Sequence, residues 1–382
     1  MAEPLKAMYN EPFLRQFAAL VHSAWAPFDQ ERFVALVLSG EWEQLELKAR
    51  MRRITVSLGA GLPAEYSKAL DILYAIDERC TGFPYLFFPD FVEVYGMNDW
   101  ARSMDALARF TGKSSAEFAI RPFILAEPEK TMARMLEWAD SEDEHIRRLA
   151  SEGCRPRLPW APALPAFKRD PAPILPILEK LKADASLYVR KSVANNLNDI
   201  AKDHPALVLD IAQRWIGDNE RTNWIVRRGC RSLIKAADPA IMALLGYADE
   251  EAAANVAHAV VDVTPDEARI GETTEIRYAA QLNPVAGTAA DQQLEQGAFK
   301  LRLELGVDYV KANGSVSRKK FLLKETLAEP GARIAGAKRL SWADLTTRKH
   351  YPGVHRLWLL VNGREAAHAE MRLRGAGEGA AP

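Results

Sequence analysis

Three times in the middle of this chain an aliphatic residue is followed by an arginine and a second base: Ile146-Arg147-Arg148, Val189-Arg190-Lys191 and Val226-Arg227-Arg228. The recurrences lie 43 and 37 residues apart, and a small or β-branched residue stands three positions after each first arginine (Ala150, Val193, Cys230). A period near 40 residues is the length of one helix pair, which cannot bury its apolar face alone and so stacks on its neighbours. The recurrence therefore predicts a HEAT-like α-helical solenoid, and chance recurrence in an unrelated helical protein is the competing account.

Helical periodicity extends over residues 1–250. Phe13, Phe17, Leu20, Val21 and Ala24 fall at steps of three and four, as do Phe33, Val34, Leu36, Val37 and then Leu45, Leu47, Met51, Ile54. Gly59 to Pro63 interrupts the pattern and Tyr66 to Ile76 resumes it. The aromatic, proline-rich stretch from Phe83 to Pro89 reads as a packed connection between helices, with further helices predicted over 97–110, 114–125, 128–139 and 186–202. Near residue 250 the pattern shifts to short segments that alternate apolar and polar residues: 256–263, 273–282, 299–310, 316–327, 333–342, 354–361 and 365–373. Asn313-Gly314 and Asn362-Gly363 are strong hairpin turn signals. These seven strands predict an immunoglobulin-like β-sandwich over 256–375 that lacks the antibody disulfide, since no cysteine falls there. From Gly375 a tail of small residues is expected to fray.

The chain has 382 residues, 48% hydrophobic and 26% charged, enough for two domains. It has no apolar run of membrane-spanning length, and Met1-Ala2-Glu3-Pro4-Leu5 has no secretory pattern. Cys80, Cys154 and Cys230 are odd in number and far apart, as suits a reducing interior. A cytoplasmic monomer that needs no membrane is expected. The formal net charge of −1 hides a segmental bias. Residues 1–140 hold 15 Lys and Arg against 20 Asp and Glu, and residues 141–235 hold 17 against 12. Residues 236–299 hold 2 against 11, and residues 300–374 hold 16 against 7. Two basic blocks point to a polyanionic partner, although any one charge run is as often a solvated face.

Carboxylates set among these arginines are the candidate chemistry. Asp199 lies on the predicted 186–202 helix with Ser192 and Asn195, along one flank of the stripe formed by Val189, Val193, Leu197 and Ile200. On a solenoid that flank can face the concave groove. A helix cap or an acceptor between repeats is the structural alternative for Asp199. Glu152 stands five residues beyond its repeat arginine, as Asn195 does, with Arg155 and Arg157 just downstream and Pro156 and Pro159 ending the helix. Trp160 follows on this proline-framed segment, where an indole face can pack on a sugar or a cation; core packing is its alternative. Glu117, three residues after Ser114, also fits a helix capping box. No phosphate loop, no histidine pair at metal spacing and no nucleophile elbow is present, so neither a metal nor a cofactor is expected.

Two strings carry a family resemblance: Glu152-Gly153-Cys154-Arg155-Pro156-Arg157-Leu158-Pro159-Trp160, and Ser192-Val193-Ala194-Asn195-Asn196-Leu197-Asn198-Asp199 continuing to Pro205. With them the chain resembles the AlkC branch of the AlkC/AlkD-like DNA alkylation repair glycosylases over residues 1–250. An immunoglobulin-like appendage accompanies one subset of that branch. The resemblance implies a monofunctional glycosylase that removes small cationic bases, 3-methyladenine and 3-methylcytosine, from duplex DNA without fully flipping the damaged nucleotide. It also implies that Asp199 is the principal carboxylate, that Glu152 and Glu117 assist, and that Trp160 packs on the lesion nucleotide. DNA contacts are expected from Arg148, Arg155, Arg157, Arg190, Lys191, Asn195, Arg227 and Arg228, and, in the sandwich, from Lys311, Arg318, Lys319, Lys320, Arg348 and Lys349. The rival functions are a non-enzymatic repeat scaffold that docks a protein and a sensor that binds damage without cutting.

Overall fold

Short polar side chains set where many of the helices begin. Asn10, Asp29, Asp99, Asp143, Ser186 and Asn219 each accept a bond from a backbone N–H two or three residues onward. Each satisfies a donor that the first helical turn leaves unpaired. The computed structural model describes residues 4–247, 256–283, 299–345 and 348–375. They divide into two compact units, Met1–Cys230 and Arg231–Pro382.

The first unit is helical. Phe17, Phe33, Phe87 and Phe88 are buried together near its N-terminal end, with the Phe17 and Phe87 ring centroids 4.9 Å apart. The stretch read as a connection is a 3-10 turn, Phe83–Leu86, that runs directly into the helix Phe87–Tyr95. Pro84 and Pro89 fall in the first turns of these two elements, where no backbone N–H is missed. Further on, the helix Glu144–Gly153 packs on Leu187–Ile200, which packs on Glu220–Gly229. These three helices carry the recurring basic pairs.

The recurrence has a structural cause. Arg147 donates to the carbonyls of Ser141 and Glu142, six and five residues back, and pairs with Asp184 at 2.7 Å. Arg190 repeats the pattern on the carbonyls of Asp184 and Ala185. In both repeats the first arginine ties its helix to the loop that leads into it.

The second unit begins with two short helices, Arg231–Ala236 and Pro239–Leu244, so it starts before the change in residue pattern near 250. Its strands hold them: Lys320 Nζ donates to the carbonyl of Lys235, Lys300 Nζ to that of Leu245, and Asn362 Nδ2 to that of Tyr247. Eight strands follow among the described residues: β1 (Val256–Thr264), β2 (Glu267–Arg269), β3 (Thr273–Leu282), β4 (Phe299–Val310), β5 (Val316–Ala328), β6 (Arg333–Ser341), β7 (Gly353–Val361) and β8 (Arg364–Arg374). They form two sheets, ordered β1-β3-β6 and β2-β8-β7-β4-β5. Strand β2 was not expected; three residues are too few to show alternation, and it pairs parallel to β8. Ile276, Tyr278 and Ala280 of one sheet share an apolar core with Leu303, Leu305, Leu357 and Leu359 of the other. Asn362 and Gly363, both at positive φ, turn β7 into β8. The tail beyond Gly375 lies outside the described residues.

Cys80, Cys154 and Cys230 are all buried and form no disulfide, and burial pushes the thiols of Cys80 and Cys154 up to about 12. No described helix is long and apolar enough to cross a membrane.

Gly153 ends its helix against a neighbour. A Cβ there would stand 2.5 Å from Ile120 Cγ2 and 3.3 Å from Met135 Cε. Alanine in place of a helical glycine normally stabilises by ~0.5–1 kcal/mol. Here the clash with a stiff β-branched side chain reverses the sign, and Gly153→Ala is expected to cost about 1–3 kcal/mol. Urea unfolding reads this directly: a midpoint at or above that of the wild type means the close approach is not limiting.

Candidate active site

The two strings singled out in the sequence pack against each other through a polar seam. Ser151 and Ser192 share a 2.7 Å hydroxyl bond, and Asn196 Nδ2 donates to the Ser151 carbonyl at 2.9 Å. Apolar contacts alone would let the helices slide; paired donors and acceptors fix their register. That register places the C-terminal end of the Glu144–Gly153 helix beside that of Leu187–Ile200.

A chain of alternating charges runs across this junction. Arg148 meets Glu117 through both terminal nitrogens, at 2.9 and 3.2 Å, and lies 3.6 Å from Glu152 Oε1. Arg155 Nη1 donates to the same Glu152 oxygen at 2.6 Å. Arg155 Nε and Nη2 then both reach Asp199 Oδ2 at 2.9 Å, while Lys202 holds Asp199 Oδ1 at 3.1 Å. Glu117, Glu152, Arg155 and Asp199 are buried, Arg148 is partly buried, and Lys202 is at the surface. Arg121 lies beneath them and donates to the carbonyls of Gly153, Arg155 and Pro162 at 2.9, 2.8 and 2.6 Å. Burial pulls its guanidinium down to about 10.

Glu117 shows how such a network keeps a buried acid ionised. Burial acts to raise its carboxyl, but the Arg148 charge and the bonds from Arg148 and Ser115 outweigh that, and the group titrates below the usual glutamate range. Arg148 is the reciprocal case. Burial works against its charge, and Glu117 with Glu152 more than offsets it, leaving the guanidinium above its ordinary value.

Glu117, Arg148, Glu152, Arg155 and Trp160 line one cavity of about 470 Å³, together with Phe83, Phe118 and Tyr188. Trp160 is 62% exposed and has φ 64°. A bulky residue in the left-handed region is strained, and a large exposed indole leaves apolar area in water. Both costs are concentrated on one residue at the cavity wall. Core packing, the alternative for Trp160, is thereby excluded.

Several expectations differ from what is seen. Glu117 is not on a helix: residues 114–119 are turns before Ile120–Ala126, whose N-cap carries no side-chain bond. The capping box is absent because Glu117 pairs with Arg148 and Ser115 instead, while Ser114 Oγ is buried without a partner. Asp199 is only 2% exposed and lies behind Arg155, outside the set of cavity-lining residues. Arg148, partly buried, and Arg155, buried, were expected on phosphates and are paired with carboxylates, and Arg190 is committed to loop carbonyls. Arg157 pairs with Asp203 at 2.7 Å. Lys191, Arg227 and Arg228 are exposed, and Asn195 is partly buried. In the second unit Arg318 is matched by Asp308 and Glu365 and Lys320 is bonded to the Lys235 carbonyl, whereas Lys311, Lys319 and Lys349 are exposed. Arg348 is partly buried, 4.7 Å from the Tyr309 ring centroid.

The sequence reading missed Tyr188, Phe118, Ser115, Arg121 and Lys202. A helical step of three, from Asp199 to Lys202, was the one local signal available. Among the described residues no group of three or more His, Cys, Asp or Glu is arranged to hold a metal ion.

Comparison with known proteins fits this geometry. The family model described as DNA alkylation repair enzyme matches residues 99–233, which include all three carboxylates. The model of the YhaZ C-terminal Ig-like domain matches residues 257–375. The protein of Bacillus subtilis (strain 168) named uncharacterized protein YhaZ is 43% identical over 359 residues, 94% of this chain and 96% of that one. Pseudomonas fluorescens alkylpurine DNA glycosylase AlkC, solved bound to DNA containing an abasic site analog, is 39% identical with a TM-score of 0.89, covering 97% of this chain and 100% of that chain. The chain belongs to the AlkC-like family of DNA alkylation repair glycosylases that carry a C-terminal Ig-like domain.

Proposed function

We propose that the protein excises small cationic alkylated bases, chiefly 3-methyladenine and also 3-methylcytosine, from duplex DNA as a monofunctional glycosylase. The observation that carries this reading is the pair of buried carboxylates, Glu117 and Glu152, fixed by arginines on the wall of a cavity from which Trp160 projects. On this reading the helical unit is a HEAT-like solenoid that acts as a monomer in the cytoplasm, with the immunoglobulin-like sandwich as a second DNA-holding module. The exposed Lys191, Arg227, Arg228, Lys311, Lys319 and Lys349 supply phosphate affinity.

A base methylated at N3 is positively charged and leaves neutral without a proton donor. As its glycosidic bond breaks, positive charge moves to the deoxyribose. An ionised carboxylate held nearby stabilises that charge, and a water adds to the sugar carbon and gives up its proton. Both arginine contacts of Glu152 fall on Oε1, which supports assigning its other oxygen to the sugar or the water. Glu117 adds a second fixed charge. Asp199, which the resemblance makes the principal carboxylate, acts in this reading through Arg155 by holding it against Glu152. The cavity is open and flanked by Trp160 and Tyr188, so the damaged nucleotide is packed in place and is not fully extruded.

Free-base release from methylated duplex DNA under single-turnover conditions is the test. Glu152→Gln and Asp199→Asn are each expected to slow it by about 10²–10³-fold with DNA binding retained. Unchanged rates in both variants, or no base released by the wild type, would remove the enzymatic assignment.

The charge on Glu117 is complete above the ordinary glutamate range and is lost only as pH falls through its lowered value. Release, corrected for spontaneous base loss, should therefore show no acid limb from Glu117 between about pH 5 and 8. A limb near pH 6 that vanishes in Glu117→Gln contradicts this.

Trp160→Gly should separate function from stability. Removing the left-handed strain is worth about 1 kcal/mol, so Tm is expected to hold or rise while base release falls. A drop in Tm with full activity would return Trp160 to a structural role.

A further inference from the structure

The strain at Trp160 must be held by its surroundings, because an isolated peptide would relax out of this backbone state. Arg121 pins the segment from inside through the carbonyls of Gly153, Arg155 and Pro162. Two turn bonds close it: Ala161 N–H to the Leu158 carbonyl at 3.2 Å and Leu164 N–H to the Pro156 carbonyl at 3.1 Å. The Trp160 carbonyl is met from another direction. Lys48, on the helix Leu47–Gly61 and 112 residues earlier in the chain, donates to it from Nζ at 2.8 Å. The same ammonium lies 4.6 Å from the ring centroid of Phe118, a cavity-lining residue.

We propose that Lys48 is a positioning residue for Trp160. Its bond fixes the peptide plane that follows Trp160, and with it the direction in which the indole leaves the backbone at the cavity wall. The Phe118 face steadies the ammonium there through the attraction between a cation and an aromatic ring. An exposed lysine on a DNA-repair protein would ordinarily be assigned to phosphate. The geometry argues otherwise, since this ammonium is engaged by a carbonyl and a ring. The inference rests on Trp160 being the residue that packs on the lesion nucleotide.

Lys48→Met keeps the aliphatic stem and removes the donor, so it is the informative variant, made both alone and with Trp160→Ala. Alone it should slow single-turnover base release by about tenfold while DNA affinity stays near that of wild type. Lys48→Arg should restore most of the rate, because it returns a donor of similar reach. In the Trp160→Ala background Lys48→Met should have no further effect, since the indole it positions is gone. A readout independent of chemistry is the Trp160 indole N–H resonance, assigned by its loss in Trp160→Ala; it should shift or broaden in Lys48→Met while those of the other tryptophans stay. Additive rate losses in the double variant, or an unmoved Trp160 resonance, would overturn the proposal. So would weakened binding with a salt slope reduced by about one, the signature of a lost phosphate contact. If the wild type releases no base, the functional reading fails on its own, and the resonance still decides what Lys48 does.

Discussion

The guanidinium of Arg155 joins what the chain keeps apart. It touches Glu152 three residues before it and Asp199 on the following repeat, and so ties one repeat to the next at the cavity wall. A buried guanidinium with one partner would be costly to hold; with two carboxylates it is satisfied, and it fixes their relative position. The Ser151–Ser192 bond and the Asn196 amide set the helix register that makes this bridge possible. Arg121, one layer deeper, orders the loop on which Arg155 itself lies.

Charge balance follows from the same arrangement. Glu117, Glu152 and Asp199 are faced by Arg121, Arg148 and Arg155, with Lys202 at the solvent edge. Glu117 is held ionised in this arrangement by Arg148, and what distinguishes the site is the direction of individual oxygens more than any net charge. An enzyme that acts on a cation needs such fixed anions, yet an uncompensated buried carboxylate would protonate. Arginines interleaved with the acids resolve that conflict.

Much of the architecture could be read from local patterns. Alternation located strands such as Thr273–Leu282 and Phe299–Val310, and the arginine recurrence located three stacked helices. The short strand Glu267–Arg269 escaped because three residues hold no periodicity. At the site, the strings around Glu152 and Asp199 drew notice through composition, but sequence shows a charge and not its partner. Arg148 and Arg155 were thus read as phosphate ligands when they serve carboxylates. Ser114 and Glu117 matched a local capping pattern, and a long-range ion pair to Arg148 overrode it. Arg121 and Lys48 reach the Trp160 loop from distant segments, and no spacing rule could have reported them.

The burial of all three cysteines has a bearing on the setting proposed for this protein. Reagents that methylate nucleobases also attack sulfur, and the thiolate is the form they react with fastest. Cys80 and Cys154 are held as neutral thiols away from solvent, and Cys230 is enclosed as well. Cys154 immediately precedes Arg155 of the ion-pair network, and its sulfur is buried against the Ala150 carbonyl and the Asn196 amide. The fold thus shields its own soft nucleophiles from the electrophiles whose lesions it would repair, and can stay intact through the exposure that creates its work.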